Sequence, residues 1–171
     1  LALASEGDFE GRVHVVDNHR ISVTQTQSVL DAYFLAREGR TGRQIKEQLE
    51  SEALDASIYI AVDTLKYLKK GGRITPAAAA VGTVLNLKPV LTIQGDKLDA
   101  FAKVRGMKAA FRTMCRAVRK DIDTRFSHLR DEGVLKLGMA ETDMDEEEFL
   151  SWKEKYQKCF PDMEIVHYPL T

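Results

Sequence analysis

Apolar positions along the chain change their period several times, and each change marks an element. Val13-His14-Val15-Val16 is a short β-branched run closed by the turn-forming pair Asp17-Asn18, which predicts a buried strand and then a loop. From Thr26 to Arg37, Val29, Leu30, Tyr33, Phe34 and Ala36 recur at helical spacing, and Gly39 is placed to stop that helix. Thr41-Gly42-Arg43-Gln44 has the form of a capping box, in which a threonine hydroxyl and a glutamine side chain satisfy each other's amides. Ile45 and Leu49 supply the apolar stripe of the helix it starts. Ser57 to Val62 predicts a second strand, and Asp63 or Thr64 can cap a short helix over Leu65 to Lys70 that ends at Gly71-Gly72.

Thr75-Pro76 restarts a helix, since the hydroxyl can cap and proline suits the first helical position. Ala77 to Leu85 is almost entirely small or apolar, which predicts a buried segment. Lys88 to Ile93 and Lys97 to Lys103 flank Gln94-Gly95-Asp96 as a β-hairpin, with Pro89 expected near a strand's beginning or on an edge. A long helix follows from about Met107 to Phe126, with Met107, Phe111, Met114, Val118 and Ile122 on one stripe. Its other faces carry Lys108, Arg112, Arg116, Arg119 and Lys120, read with Asp121 and Asp123 as solvated charge. Val134 to Met139 and Glu164 to Tyr168 predict two further strands around an amphipathic helix, Asp145 to Lys158. Strands separated by helices make the class α/β.

Composition narrows the function classes. The 171 residues are 44% hydrophobic and 30% charged, with 25 Lys+Arg against 26 Asp+Glu, a globular balance that gives no electrostatic reason to expect nucleic acid. No apolar run is long enough to span a bilayer, and Leu1 to Glu6 lacks the basic flank of a signal peptide, so a cytoplasmic location is expected. Cys115 and Cys159 give neither a disulfide framework nor a zinc spacing and are read as ordinary reduced thiols. His14, His19, His128 and His167 are scattered, and no metal site is expected. Neither Gly-x-Ser-x-Gly, His-Glu-x-x-His, a Walker loop nor a Cys-His nucleophile pattern is present. The absent initiator Met and the stop at Thr171 predict a piece of a longer protein.

Two segments remain as candidate anion sites. In Lys69-Lys70-Gly71-Gly72-Arg73-Ile74-Thr75-Pro76, two glycines between helices allow positive φ and close backbone approach, and Arg73 adds a positive charge. A helix C-cap followed by a surface arginine accounts for the same residues. Lys103-Val104-Arg105-Gly106 stands where a strand meets the long basic helix, and Arg105 is either an anion contact or a solvated junction residue.

The order and spacing of three segments resemble the DegV family: Val62 to Ile74 around Lys69-Lys70-Gly71-Gly72-Arg73, Leu85-Asn86-Leu87-Lys88-Pro89-Val90-Leu91, and Gly95-Asp96 followed by Lys103-Val104-Arg105. Gly11-Arg12-Val13-His14-Val15-Val16-Asp17 and the helix after it extend the likeness over nearly the whole chain. The resemblance implies a two-domain α/β protein, with residues 1–55 as the C-terminal part of its first domain and 56–171 as most of its second. It implies an apolar tunnel for one long-chain fatty acid, no cofactor besides that ligand, and an ATP-binding fatty acid kinase subunit as partner. The lipid-binding subunit supplies the acid, not the ATP site, and is not itself an enzyme.

By the same resemblance, Arg73 and Arg105 are the cations near the carboxylate or its acyl phosphate, with Gly71, Gly72 and Ser22 as backbone or polar contacts. Ala79, Val81, Val84 and Leu85 are implied as acyl-chain lining. The family's Ser- and Gly-rich segment is expected before Leu1 and its His-Thr-Gly-Pro-Gly segment after Thr171. Within the chain, Ser22 is kept but Val23-Thr24-Gln25-Thr26 follows, where the family has glycines. Two other readings fit the residues: a regulatory or lipid-binding domain fused to a dihydroxyacetone-kinase-like module, and an enzyme that clamps a small anionic metabolite with the same arginines.

Overall fold

The computed structural model describes residues 9–79, 87–93 and 97–169, and the chain divides into two compact units, residues 1–56 and 57–171. In the first, α1 (Ser22–Arg37) packs with α2 (Gly42–Ser51). Gly39, at φ 84, ends α1 as expected: its amide donates to Ala36 and that of Arg40 to Leu35, which satisfies two of the last carbonyls. The Thr41 capping box also forms, with the Gln44 amide donating to Thr41 Oγ1 at 3.3 Å and the Thr41 amide to Gln44 Oε1 at 2.9 Å.

The strand expected over Val13 to Val16 is not a strand. Side chains of α2 take its backbone groups instead of a neighbouring ladder: Lys46 Nζ donates to the Val15 carbonyl at 2.5 Å, and the Asp17 amide donates to Glu50 Oε1 at 2.9 Å. Lys46 and Glu50 stand one helical turn apart and pair with each other, so a two-residue device on α2 clamps the segment.

The second unit begins with β1 (Ile58–Ala61), then α3 (Lys66–Lys70) and α4 (Pro76–Ala79). β2 (Leu87–Ile93) and β3 (Leu98–Arg105) complete an antiparallel sheet in the order β1-β2-β3. Pro89 sits in the central strand, yet beyond the last residue that β1 pairs, because that ladder ends at Ala61 opposite Val90. The missing donor therefore costs no bond to β1. A register shift between Val90 and Leu91 leaves Phe101 as an extra residue on β3, a bulge that bends this strand.

α5 (Met107–Asp123) lies against all three strands and leads through α6 (Ser127–Asp131) to β4 (Leu137–Glu141). α7 (Glu146–Cys159) then connects β4 to β5 (Ile165–Pro169), which pair in parallel as a β-α-β crossover. The expected strand from Val134 starts later, because Val134 is exposed in the turn that closes α6. Asp145 caps α7 by accepting from the Glu148 amide at 2.8 Å.

Two apolar clusters hold this unit. Leu65, Ile74, Ala78, Leu91, Ile93 and Leu98 form the first, around the three-stranded sheet. Cys115, Ile122, Leu137, Phe160 and Ile165 form the second, between α5 and the β4-α7-β5 layer. The class is α/β, as the alternation of patterns predicts.

Candidate functional site

The turn after α3 is built from its own backbone. The Gly72 amide donates to Lys69 and the Arg73 amide to Leu68, both at 3.2 Å, so the chain reverses with Gly72 at φ 65. Only a residue without Cβ adopts that conformation at little cost. The positive φ that the pair allows is taken by Gly72 alone, while Gly71 has φ −83 and closes the helix in ordinary right-handed geometry. The Arg73 guanidinium folds back over Gly71, where an added Cβ would lie 3.4 Å from Nη1, an ordinary van der Waals contact.

Beyond the turn the chain is fastened to the start of β3. The Leu98 amide donates to the Arg73 carbonyl at 3.2 Å and the Thr75 amide to the Leu98 carbonyl at 2.9 Å. The Thr75 hydroxyl accepts from the Ala78 amide at 3.3 Å, the expected cap, and donates to Asp99 Oδ1 at 2.6 Å. That bond and the Ala100 amide hold the Asp99 carboxyl below its usual range. Arg73 is exposed, while its neighbour Ile74 enters the first apolar cluster with Ala78. The result is a cation at the rim of an apolar cluster, positioned by a glycine turn and a strand bridge.

Arg105 occupies the other end of the same strand. It is the last residue of β3, exposed, and Gly106 follows at φ 74, where its carbonyl accepts the amides of Ala109 and Ala110 to begin α5. Leu98 and Arg105 are separated by the length of β3, roughly 20 Å at about 3.3 Å per residue. The fold therefore sets the two expected arginines at opposite ends of a strand and does not gather them into one clamp.

Ser22 lies in the first unit as the exposed first residue of α1, with φ 53, and its carbonyl accepts from the Thr26 hydroxyl. Ala79 is half-buried at the end of α4 and packs on the first apolar cluster. Val81, Val84 and Leu85 lie outside the described residues. Close in sequence to Ser22, Asn18 is buried and donates to Ser28 Oγ at 2.8 Å, and Arg20 donates to the Glu52 carbonyl at 2.5 Å. The Asp17-Asn18 pair marked a turn in the sequence, but nothing local announced that its amide would be buried.

Asp121 departs furthest from expectation. Its sequence context predicts solvated charge, yet it is 8% exposed and accepts from Ser57 Oγ at 2.7 Å and Tyr59 Oη at 2.8 Å, with Arg125 Nη1 at 3.5 Å. Burial and this carboxylate push the Tyr59 phenol up to about 12. The cluster joins β1 to α5 and is filled by its own partners, which makes it a brace rather than a ligand site. Among the described residues, no group of His, Cys, Asp and Glu is arranged to hold a metal ion, and no helix is long and apolar enough to cross a membrane.

Comparison with known proteins places this geometry. A DegV domain-containing protein of Deinococcus radiodurans is 40% identical over 113 residues, covering 66% of this chain and 40% of the relative. A solved structure from Thermus thermophilus, described as fatty acid binding of a DegV family protein, is 28% identical with a TM-score of 0.71, covering 95% of this chain and 56% of that one. A stearic acid-binding protein from Eubacterium ventriosum shares the fold at 21% identity and a TM-score of 0.75, covering 95% of this chain and 53% of that one. The chain thus spans about 40% of the curated relative's length. The family model described as "Uncharacterised protein, DegV family" matches residues 2–170, and the chain belongs to the DegV family.

Proposed function

We propose that the full-length protein binds a long-chain fatty acid and presents its carboxylate to a separate ATP-binding kinase subunit, which forms the acyl phosphate. The observation that carries this reading is the Gly72-centred turn, which sets the exposed Arg73 at the rim of the cluster containing Ile74 and Ala78. An amphiphilic acid needs this juxtaposition, because its chain gains by leaving water while its carboxylate needs a cation or donors. The Thermus thermophilus relative, a fatty-acid-binding protein by description, supports the same ligand class. In this reading residues 1–55 belong to a first domain and 56–171 to a second, the protein is cytoplasmic, and the fatty acid is its ligand with no further cofactor.

Arg73 serves as the head-group cation, Gly71 and Gly72 allow its approach, and Ser22 contributes from the first domain. Ala79, Val81, Val84 and Leu85 belong to the acyl-chain wall. Arg105, at the far end of β3, serves transfer to the kinase. Native mass spectrometry of the full-length protein should reveal a co-purified fatty acid; a protein that stays empty when delipidated and re-exposed to lipid would overturn the reading. Arg73→Ala should weaken fatty-acid affinity by about tenfold, the loss of roughly one charge-assisted bond of about 1.5 kcal/mol. Arg105→Ala should leave affinity in place and slow acyl-phosphate formation; the opposite pattern would exchange the two roles.

A further inference from the structure

Residues 73–75 form a strap between the Gly72 turn and α4. Its backbone is tied at both ends to one residue of β3: the Arg73 carbonyl accepts from the Leu98 amide, and the Thr75 amide donates to the Leu98 carbonyl. Ile74 thereby pairs with Leu98 as a lone parallel bridge outside the regular ladders. Gly72, at φ 65, lies on one side of the strap, and α4, only four residues long, lies on the other. A helix that short has no stability of its own, so neither flank holds the strap still. Ile74 is buried in the first apolar cluster, while Arg73 is exposed and, among the described residues, has no acidic partner.

Asp99 supplies the side-chain fastening. Its Oδ1 accepts from the Ala100 amide at 2.8 Å, which fixes the carboxylate on its own strand, and from the Thr75 hydroxyl at 2.6 Å. A hydroxyl has one hydrogen to give. Because Thr75 gives it to Asp99, a lone pair is left facing the Ala78 amide, which donates at 3.3 Å to start α4. One carboxylate thus orients a helix cap and locks the strap to β3. The Thr75 bond first, then the Ala100 amide, hold the Asp99 carboxyl below its usual range, so at neutral pH it is an acceptor only. We infer that Asp99 is a positioning residue for the fatty-acid head group: acting through Thr75, it holds the strap and so holds Arg73 at the rim of the apolar cluster. This inference rests on the fatty-acid reading above and adds to it a residue that touches neither the ligand nor the guanidinium. Both bonds direct the Asp99 charge to donors of the chain itself, which leaves Arg73 to the ligand.

The test compares oleate with oleyl alcohol, which has the same chain and no carboxylate, as ligands of the delipidated full-length protein and its variants. Oleate affinity should fall about fivefold in Asp99→Ala, against about tenfold in Arg73→Ala, because the cation is loosened rather than removed. Oleyl alcohol should bind Asp99→Ala and the wild type alike. In the Arg73→Ala background, Asp99→Ala should cost nothing further, as for two residues that act through one group. Asp99→Asn keeps an oxygen that accepts from Thr75 and should restore oleate binding. Hydrogen exchange of the ligand-free protein gives a second readout: the peptide spanning the strap should exchange faster in Asp99→Ala and return to the wild-type rate in Asp99→Asn. Equal losses for acid and alcohol would overturn the inference, since they would mark a general loosening of the apolar rim. Losses that multiply in the double variant, or unchanged exchange of the strap, would overturn it as well. A wild-type protein that takes up no oleate would instead overturn the fatty-acid reading, and this inference with it.

Discussion

Along α1, Val29, Leu30, Tyr33 and Phe34 stand 40 to 59% exposed, whereas Val90 and Leu91 of β2 are wholly excluded from water. Residues 1–56 bury one large apolar side chain among those described, Leu49, and rest on polar bonds: Asn18 to Ser28, Arg20 to Glu52, and the Lys46 and Glu50 clamp on residues 15–17. Residues 57–171 close two apolar clusters, one around the three-stranded sheet and the other against the long helix α5. The difference shows that apolar pattern and apolar burial are separate properties. α1 carries as many large side chains as a core helix, but among the described residues its unit has no sheet to lay them on.

Substitutions from the two units test this contrast. Leu91→Ala should cost about 3 kcal/mol in urea unfolding, since a fully buried leucine leaves a cavity behind it. A loss below about 1 kcal/mol would mean that the sheet core is looser than its exclusion from water implies. Asp121→Ala should cost about 2 kcal/mol by stranding the Ser57 and Tyr59 hydroxyls, and Asp121→Asn should recover part of that loss. Gly39→Ala and Gly72→Ala should each cost about 1 to 2 kcal/mol, because both positions hold left-handed backbone whatever the burial around them. A large effect at Gly72 alone would show that turn energy follows the unit rather than the dihedral.

Smaller effects complete the series. Tyr59 has a folded-state pKa raised from 10 to about 12, so its contribution is whole below about pH 10 and is lost as pH rises towards 12. Alkaline unfolding followed by circular dichroism should therefore be less steep in Tyr59→Phe, and an identical profile would exclude the Asp121 bond as its source. Phe34→Ser, on the exposed face of α1, should shift stability by no more than about 0.5 kcal/mol in either direction. A loss comparable to that of Leu91→Ala would erase the distinction between the units.

Much of this architecture could be read from local pattern. The helices over Thr26 to Arg37, Met107 onwards and Asp145 to Lys158 follow from 3.6-residue periodicity, and the hairpin strands from alternation around Gln94 to Asp96, although that tip lies outside the described residues. The strand assigned to Val13 to Val16 failed because β-branched composition states a preference, not a partner. Asp121 is not legible in the sequence because a carboxylate among basic neighbours looks solvated, while its donors, Ser57 and Tyr59, come from a segment more than sixty residues away. The candidate site divided in the same way. The glycine turn and the two arginines were visible, but their placement at opposite ends of β3 required the register of that strand.

What the sequence determined by itself are features closed within a few residues. These are the Thr41 capping box, the Thr75 cap before Pro76, and the glycine reversals at Gly39 and Gly72. There the interacting groups are covalent near-neighbours, and side-chain type alone fixes the geometry. Tertiary structure alone decided that Lys46 and Glu50 would replace a ladder, and that Asp121 would be buried with two hydroxyls. Each of those depends on groups brought together across tens of residues, where burial and register, not local preference, select the partner.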